Sequence, residues 1–374
     1  MEKAETKEKT KNSIRKEFFE IYRREICPIL KDFEAERKKI SNGIHTCLII
    51  GPIFCIVLPV VFLALEFYEI FMLSLFGFVF IFGIILIKYK NQAKSYALVL
   101  KNRCLAPVLR AFGNISWQNN KRVISDLLLD LSQLFACFNR RTIDDEFFGE
   151  YKGISFKVSE TKMAYESGSG KNRNYINVFS GVILTFTFDK NFSAHTMVST
   201  KGDLTSRNNT LITSLAFLPC FLELFKPFFK TLNPKELIFP LIIIAIYLIV
   251  CLAIQYKKKK TSEQERVMQK INLEDVKFNK KFEVYSQDQI EGRCYVTPAF
   301  MERFLNLNTA FGAKKAKCAF FQNQIMFAIS TKKNLFEISS INKSLLDFKT
   351  FENFYKEISA IYEIIDYFKL ETKS

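Results

Sequence analysis

The hydropathy pattern is dominated by two apolar runs that almost touch. Residues 44–65 contain no Asp, Glu, Lys or Arg, and residues 70–87 form a second such run after Glu66, Phe67, Tyr68 and Glu69. At about 1.5 Å per residue they reach roughly 33 Å and 27 Å, enough for a hydrocarbon core of about 30 Å. Two spans with so short a turn lie antiparallel, because neither can leave unpaired backbone in lipid. The pattern predicts a transmembrane hairpin at 44–87 that enters and leaves on one side.

The flanks change period without losing helical character. Residues 1–43 are charged, with an apolar stripe of Phe18, Ile21, Tyr22, Ile26, Ile29, Leu30 and Phe33 at helical spacing. Pro28 lies inside this stripe and should kink it. Residues 88–142 again read as juxtamembrane helices. An internal echo links the two flanks: Arg24, Pro28, Ile29, Leu30, Lys31 and Phe33 recur as Arg103, Pro107, Val108, Leu109, Arg110 and Phe112. The echo predicts two helices packed as a pair that prolongs the hairpin. A further helix is expected at 123–138, with Leu127, Leu128, Leu131, Leu134 and Phe135 on its apolar side and Asp126 and Asp130 on a solvated one.

From Glu146 the alternation becomes that of strands. Ile154, Phe156 and Val158 alternate with polar residues, 178–188 is β-branched and aromatic, and 195–200 is a third strand candidate. The polar loop 166–174 has a faint phosphate-loop look at Gly168, Gly170 and Lys171. The motif fails, because Tyr165 stands at its first glycine and Asn172 where Ser or Thr must hold magnesium. Residues 211–256 then read as a second hydrophobic hairpin, of runs 211–229 and 237–254, the first crossing the membrane or dipping in as a re-entrant segment. Glu223 and Lys226 in the first run are placed to pair on one helix face. Beyond it come a strand at 282–286, a helix from Pro298 to Phe311 announced by Thr297 and Pro298, a β-hairpin across 322–324, and a closing helix at 351–368. The fold class expected is α+β: one or two transmembrane helical hairpins carrying a cytoplasmic domain of mostly antiparallel sheet plus helices, split between 143–210 and 271–374 by the inserted hairpin.

Composition sharpens this picture in two respects. Lys and Arg number 54 against 38 Asp and Glu, a net charge of +16. The positives Arg37, Lys38, Lys39, Lys88, Lys90, Lys257, Lys258, Lys259 and Lys260 border the apolar runs. That placement reads as positive-inside topology against anionic headgroups rather than nucleic acid. Both termini are then cytoplasmic and the protein is multi-pass. The nine cysteines show no C-x-x-C pair, and Cys47, Cys55, Cys220 and Cys251 sit within apolar runs, which argues for a reducing compartment and against structural zinc.

The stretches DDEFFGEYKGISFKVSE, VFSGVILTFTFDKNF, LEDVKFNKKFEVYSQDQIEGRCYVTPAFMERF and IMFAISTKKNLFE resemble the bacterial family called domain of unknown function 3137. The resemblance implies a membrane-anchored cytoplasmic domain at the inner membrane, without an activity to carry over, and marks 204–270 as an insertion in a shorter connection. Its densest polar set, Asp288, Glu291, Arg293 and Glu302, is the candidate ligand site, with Asp144, Asp145 and Asp189 as outlying carboxylates. A turn and helix cap, with Arg293 paired to Glu291 or Glu302 at a strand–helix corner, accounts for the same charges. The histidines are His45 and His195 alone, and no hydrolase, zincin or redox motif is present. No catalytic residue, metal or cofactor is therefore assigned. The expected function is a non-enzymatic membrane protein that presents a binding domain to a protein partner, a second copy, lipid or a small ligand. A membrane enzyme built on the carboxylates and a transporter or channel component are the alternatives.

Overall fold

The computed structural model describes residues 2–64, 68–119, 121–168, 173–203, 268–313 and 315–371. Within them the chain forms α1 (Glu2–Ile21), a π-helical turn (Tyr22–Ile26), α2 (Cys27–Ala64), α3 (Tyr68–Arg110), β1 (Ile115–Gln118), α4 (Asp126–Ser132), β2 (Arg140–Tyr151), β3 (Ile154–Ser167), β4 (Asn174–Thr187) and β5 (Thr196–Thr200). It continues through β6 (Gln269–Ile271), α5 (Val276–Lys281), β7 (Phe282–Ser286), α6 (Gln289–Tyr295), α7 (Pro298–Ala310), β8 (Lys315–Phe321), β9 (Gln324–Ser330) and α8 (Lys349–Glu371). The nine strands are ordered β1-β2-β3-β4-β9-β8-β5-β7-β6. The pairings of β3 through β9 are all antiparallel, so the α+β class is confirmed.

The chain divides into two compact units. One holds residues 1–118, 147–153 and 334–374, the other 119–146 and 154–333. The helix α8 therefore belongs with the N-terminal helices, whereas the sequence places it with the sheet. In the sheet-bearing unit both faces of the central strands are covered. Ile183, Met197, Ala319, Met326 and Ala328 face a cluster with Ile124, Leu129, Leu134 and Phe135. On the opposite face Phe300 lies 5.6 Å from Phe320, and Phe304 lies 4.9 Å from Phe282 and 6.2 Å from Phe327, ring centre to ring centre. This is why β8 and β9 read as near-continuous apolar runs rather than alternating ones. β5 pairs with β7 on one side and β8 on the other, so the stretches before and after 204–267 share one sheet. The inserted hairpin itself, with Glu223, Lys226 and Lys257 to Lys260, lies outside the described residues.

Local signals set the shorter helices. Ser125, Asp275 and Asp288 cap α4, α5 and α6 through their side chains, and Thr297 Oγ1 accepts from Phe300 N at 3.1 Å to start α7. The expected helix at 123–138 is cut to seven residues, Asp126–Ser132, and ends at Gln133 in the left-handed region, φ 57°. Its inward face also differs. Leu129, Leu134 and Phe135 are buried, but Leu127 is 69% exposed. Residues 115–118 are strand, not helix, and β2 begins at Arg140, before the change of period at Glu146.

In the helical unit, α2 and α3 form the long antiparallel hairpin and its flanks do pair. Phe18 lies 5.9 Å from Phe112, Arg103 sits 5.4 Å over the Phe33 ring, Tyr96 donates to Phe33 O, and Arg110 pairs with Glu25. Pro28 is accommodated without a break. Its ring nitrogen cannot donate to the carbonyl one turn back, and the π-turn at Tyr22–Ile26 absorbs the mismatch. On α8, Tyr355 lies 5.0 Å from Phe18 and Tyr362 OH donates to Phe112 O at 2.8 Å.

Candidate functional site

The most unusual surface is the hairpin of α2 and α3. Its helices meet at two glycines. A methyl group on Gly51 would fall 2.1 Å from Phe82 Cε2, and one on Gly43 would fall 2.5 Å from Tyr89 Cε1. Those contacts seat the rings of Phe82 and Tyr89 directly on the backbone of α2. Many of the other described apolar side chains face outward. Leu48, Ile49, Ile53, Ile56, Val57, Val60 and Val61 on α2, and Phe76, Val79, Phe80, Ile84 and Ile87 on α3, are between 44% and 70% exposed. Monomeric soluble proteins do not expose contiguous apolar patches of this extent without a partner or a membrane. Among the described residues, one helix, Phe76–Arg110, is long and apolar enough to cross a membrane, and its most apolar stretch is not buried within the protein.

At the base of the apolar zone Lys38, Lys39, Lys88 and Lys90 are all exposed. Arg37 is different from its neighbours. It is 8% exposed and spends its guanidinium inside the protein, donating from Nε and Nη2 to Glu34 at 2.9 and 2.8 Å and from Nη1 to Ile341 O. Glu34 in turn accepts from Leu345 N at 3.0 Å and Ser344 Oγ at 3.3 Å. The pair staples residues 341–345 to α2. The Arg37 fork holds the Glu34 carboxyl down at about 2, overcoming the opposing effect of burial. Arg37 is therefore a structural cation, not a headgroup ligand.

The polar candidates are dispersed. Asp288 is exposed and caps α6, accepting from Ile290 N and Glu291 N at 2.8 and 3.2 Å. Glu302 and Arg293 are exposed and Glu291 is half-buried. Arg293 forms no ion pair with Glu291 or Glu302, so the expected corner pairing is not made. The corner is fixed instead by the Asp288 cap and by Gly292, whose added methyl would fall 2.4 Å from Ile271 Cδ1. Among the described residues no group of three His, Cys, Asp or Glu side chains is gathered to hold a metal ion. Asp144 and Asp189 are exposed and Asp145 is buried.

The concentrated polar cluster lies elsewhere, on β2 and β3. Arg141, its side chain 1% exposed, donates to Ile124 O at 2.7 Å, Asp126 at 2.9 Å, Thr161 Oγ1 at 3.2 Å and Ser159 Oγ at 3.2 Å. Its other neighbour is Glu146, fully buried, 3.7 Å away. Burial pushes the Glu146 carboxyl up, against the pull of Val123 N, Ser159 and Arg141. This network ties the segment before α4 to the sheet. The spacing of Arg141 and Glu146 along the chain carries no sign of it, because the partners come from three segments. The Glu34–Arg37 pair, three apart on a helix, was visible as spacing alone but not as a buried staple.

The fold thus defines an α+β protein with a long, outward-facing apolar helical hairpin. The family model described as protein of unknown function (DUF3137) matches residues 177–370, more than half of the chain, and the protein belongs to that family. The match starts within β4 and leaves the hairpin outside it. Neither the search of curated proteins nor that of solved structures returns a match.

Proposed function

We propose that α2 and α3 insert into a bilayer and that the protein is a membrane-anchored binding module rather than an enzyme. The observation that carries this reading is the outward-facing apolar surface of the hairpin, bounded at its base by exposed lysines. In water that surface is a liability, and in lipid it is the ordinary exterior of a span. Lys38, Lys39, Lys88 and Lys90 then lie in a layer of anionic headgroups, on the cytoplasmic side by the positive-inside preference. The sheet-bearing part of the chain, tethered to the same side, meets a protein partner or a second copy there. If 211–256 forms a second hairpin, the protein is multi-pass with both termini cytoplasmic, at the inner membrane of a bacterium.

The test is fractionation followed by alkaline carbonate, with reporters fused at Thr205, at Pro234 and after Ser374. The expected result is retention in the carbonate-resistant pellet, with Thr205 and the C-terminus on the cytoplasmic side and Pro234 on the far side. Release of the full chain into the carbonate supernatant overturns the anchor. Thr205 and the C-terminus on opposite sides overturns the two-hairpin topology.

A further inference from the structure

A groove of about 540 Å³ runs along one side of the hairpin. It is lined by Gly43, Cys47, Ile50 and Phe54 on α2 and by Phe82, Ile85 and Tyr89 on α3, among others. It runs beside the two crossing points, where the rings of Tyr89 and Phe82 pack on Gly43 and Gly51. From Gly43 to Phe54 the groove follows eleven residues of helix, roughly 16 Å, about half of a 30 Å hydrocarbon core. Its depth is thus that of one leaflet. At its Gly43 end the polar lining residues are Thr46 and Tyr89, and two lysines follow beyond the lining at helical spacing. Tyr89 closes the apolar lining with a phenol, the side chain favoured at the headgroup boundary. Lys39 lies four residues before Gly43, one turn further along the same stripe. Lys88 adjoins Tyr89 and stands three residues from Ile85. Both lysines are exposed, and neither is in an ion pair among the described residues.

We infer that this groove holds one acyl chain of a resident phospholipid with an anionic headgroup, its phosphate held by Lys39 and Lys88. The inference rests on the hairpin being in a bilayer and adds to it a single selected lipid. Three properties fit that occupant together: an apolar cleft, one-leaflet depth, and two cations, unpaired among the described residues, at helical spacing beyond the headgroup end. A second copy of the hairpin would meet the lysines with like charge. A zwitterionic lipid would bring its own cation to them.

The full chain, reconstituted in phosphatidylcholine vesicles containing one quarter phosphatidylglycerol, tests it. Tryptophan is placed in the groove as Ile85→Trp, or on the opposite side of α3 as Phe80→Trp, and the emission of the single native Trp117 is subtracted using the parent protein. Quenching is compared between acyl-brominated phosphatidylglycerol and acyl-brominated phosphatidylcholine at equal mole fraction. The expected result is enrichment of the anionic lipid at position 85 by roughly tenfold, absent at position 80 and abolished by Lys39→Gln with Lys88→Gln. Equal quenching by the two lipids at position 85 overturns the selected lipid and leaves an ordinary lipid-facing surface. Quenching at position 80 but not at 85 shows the groove filled by protein and also overturns it. Loss of quenching at both positions is a different failure, since the hairpin is then not in the bilayer.

Discussion

Glu34 and Arg37 show how a residue pair acquires a role that charge alone does not indicate. With side chains 9% and 10% exposed, they close on each other and on the backbone at 341–345. Removing one partner leaves the other buried and uncompensated, which costs about 3 kcal/mol. Glu34→Gln is therefore expected to lower stability by about that amount at neutral pH, as read by denaturant midpoint. The Glu34 pKa is depressed in the folded state, from its ordinary 4.5 to about 2, so its stabilisation is fully present above pH 4.5. It fades as pH falls through 4.5 towards 2. The stability difference between the parent and Glu34→Gln should shrink over that window. A difference independent of pH would mean the carboxylate is not what the pair contributes. At this scale the sequence was a poor guide. Arg37 reads like Lys38 and Lys39 beside it, and only the return of residues 341–345, some three hundred positions later, separates them.

At the scale of elements, legibility followed the period. The hairpin of α2 and α3, the strand Phe282–Ser286, the hairpin of β8 and β9 and the closing helix were visible because one apolar period persists through each. The terminal helix buries Phe354, Ile358, Ile361, Ile364 and Ile365 as the spacing requires. The element at 123–138 misled because three adjacent leucines, Leu127, Leu128 and Leu129, fit more than one helical face. The chain buries the last of them and ends the helix at Gln133. β1 has four residues and is too short to carry a period at all. What seats α2 on α3 is the absence of side chains at Gly43 and Gly51, and this makes a direct test. Gly51→Val puts a branched side chain into the Phe82 ring and is expected to cost about 2 kcal/mol or more through overpacking. Phe82→Ala in the same chain should restore much of that loss. Additive losses in the double variant, in a thermal-shift cycle in detergent, would show that the two residues do not share a contact.

At the scale of the whole molecule, charge placement and chain path matter more than any single contact. The net charge is +16, and on the proposed anchor reading the exposed lysines at the base of the hairpin fix its orientation. Replacing Lys38, Lys39, Lys88 and Lys90 together by Gln is expected to give a mixed population of orientations, read by protease protection of the C-terminus in sealed vesicles. An unchanged single orientation would shift that role to Lys257 through Lys260. The division of the chain carries one more implication, for synthesis. The helical unit is assembled from residues 1–118, 147–153 and 334–374, so its α2–α3 hairpin leaves the ribosome long before the helix that completes it. At about 5–20 residues per second, Phe18, Tyr22 and Phe112 wait on the order of ten seconds or more for their partners on α8. During that interval the nascent chain exposes an aromatic surface next to an apolar hairpin, which on the proposed anchor reading favours early delivery to a bilayer over release into water.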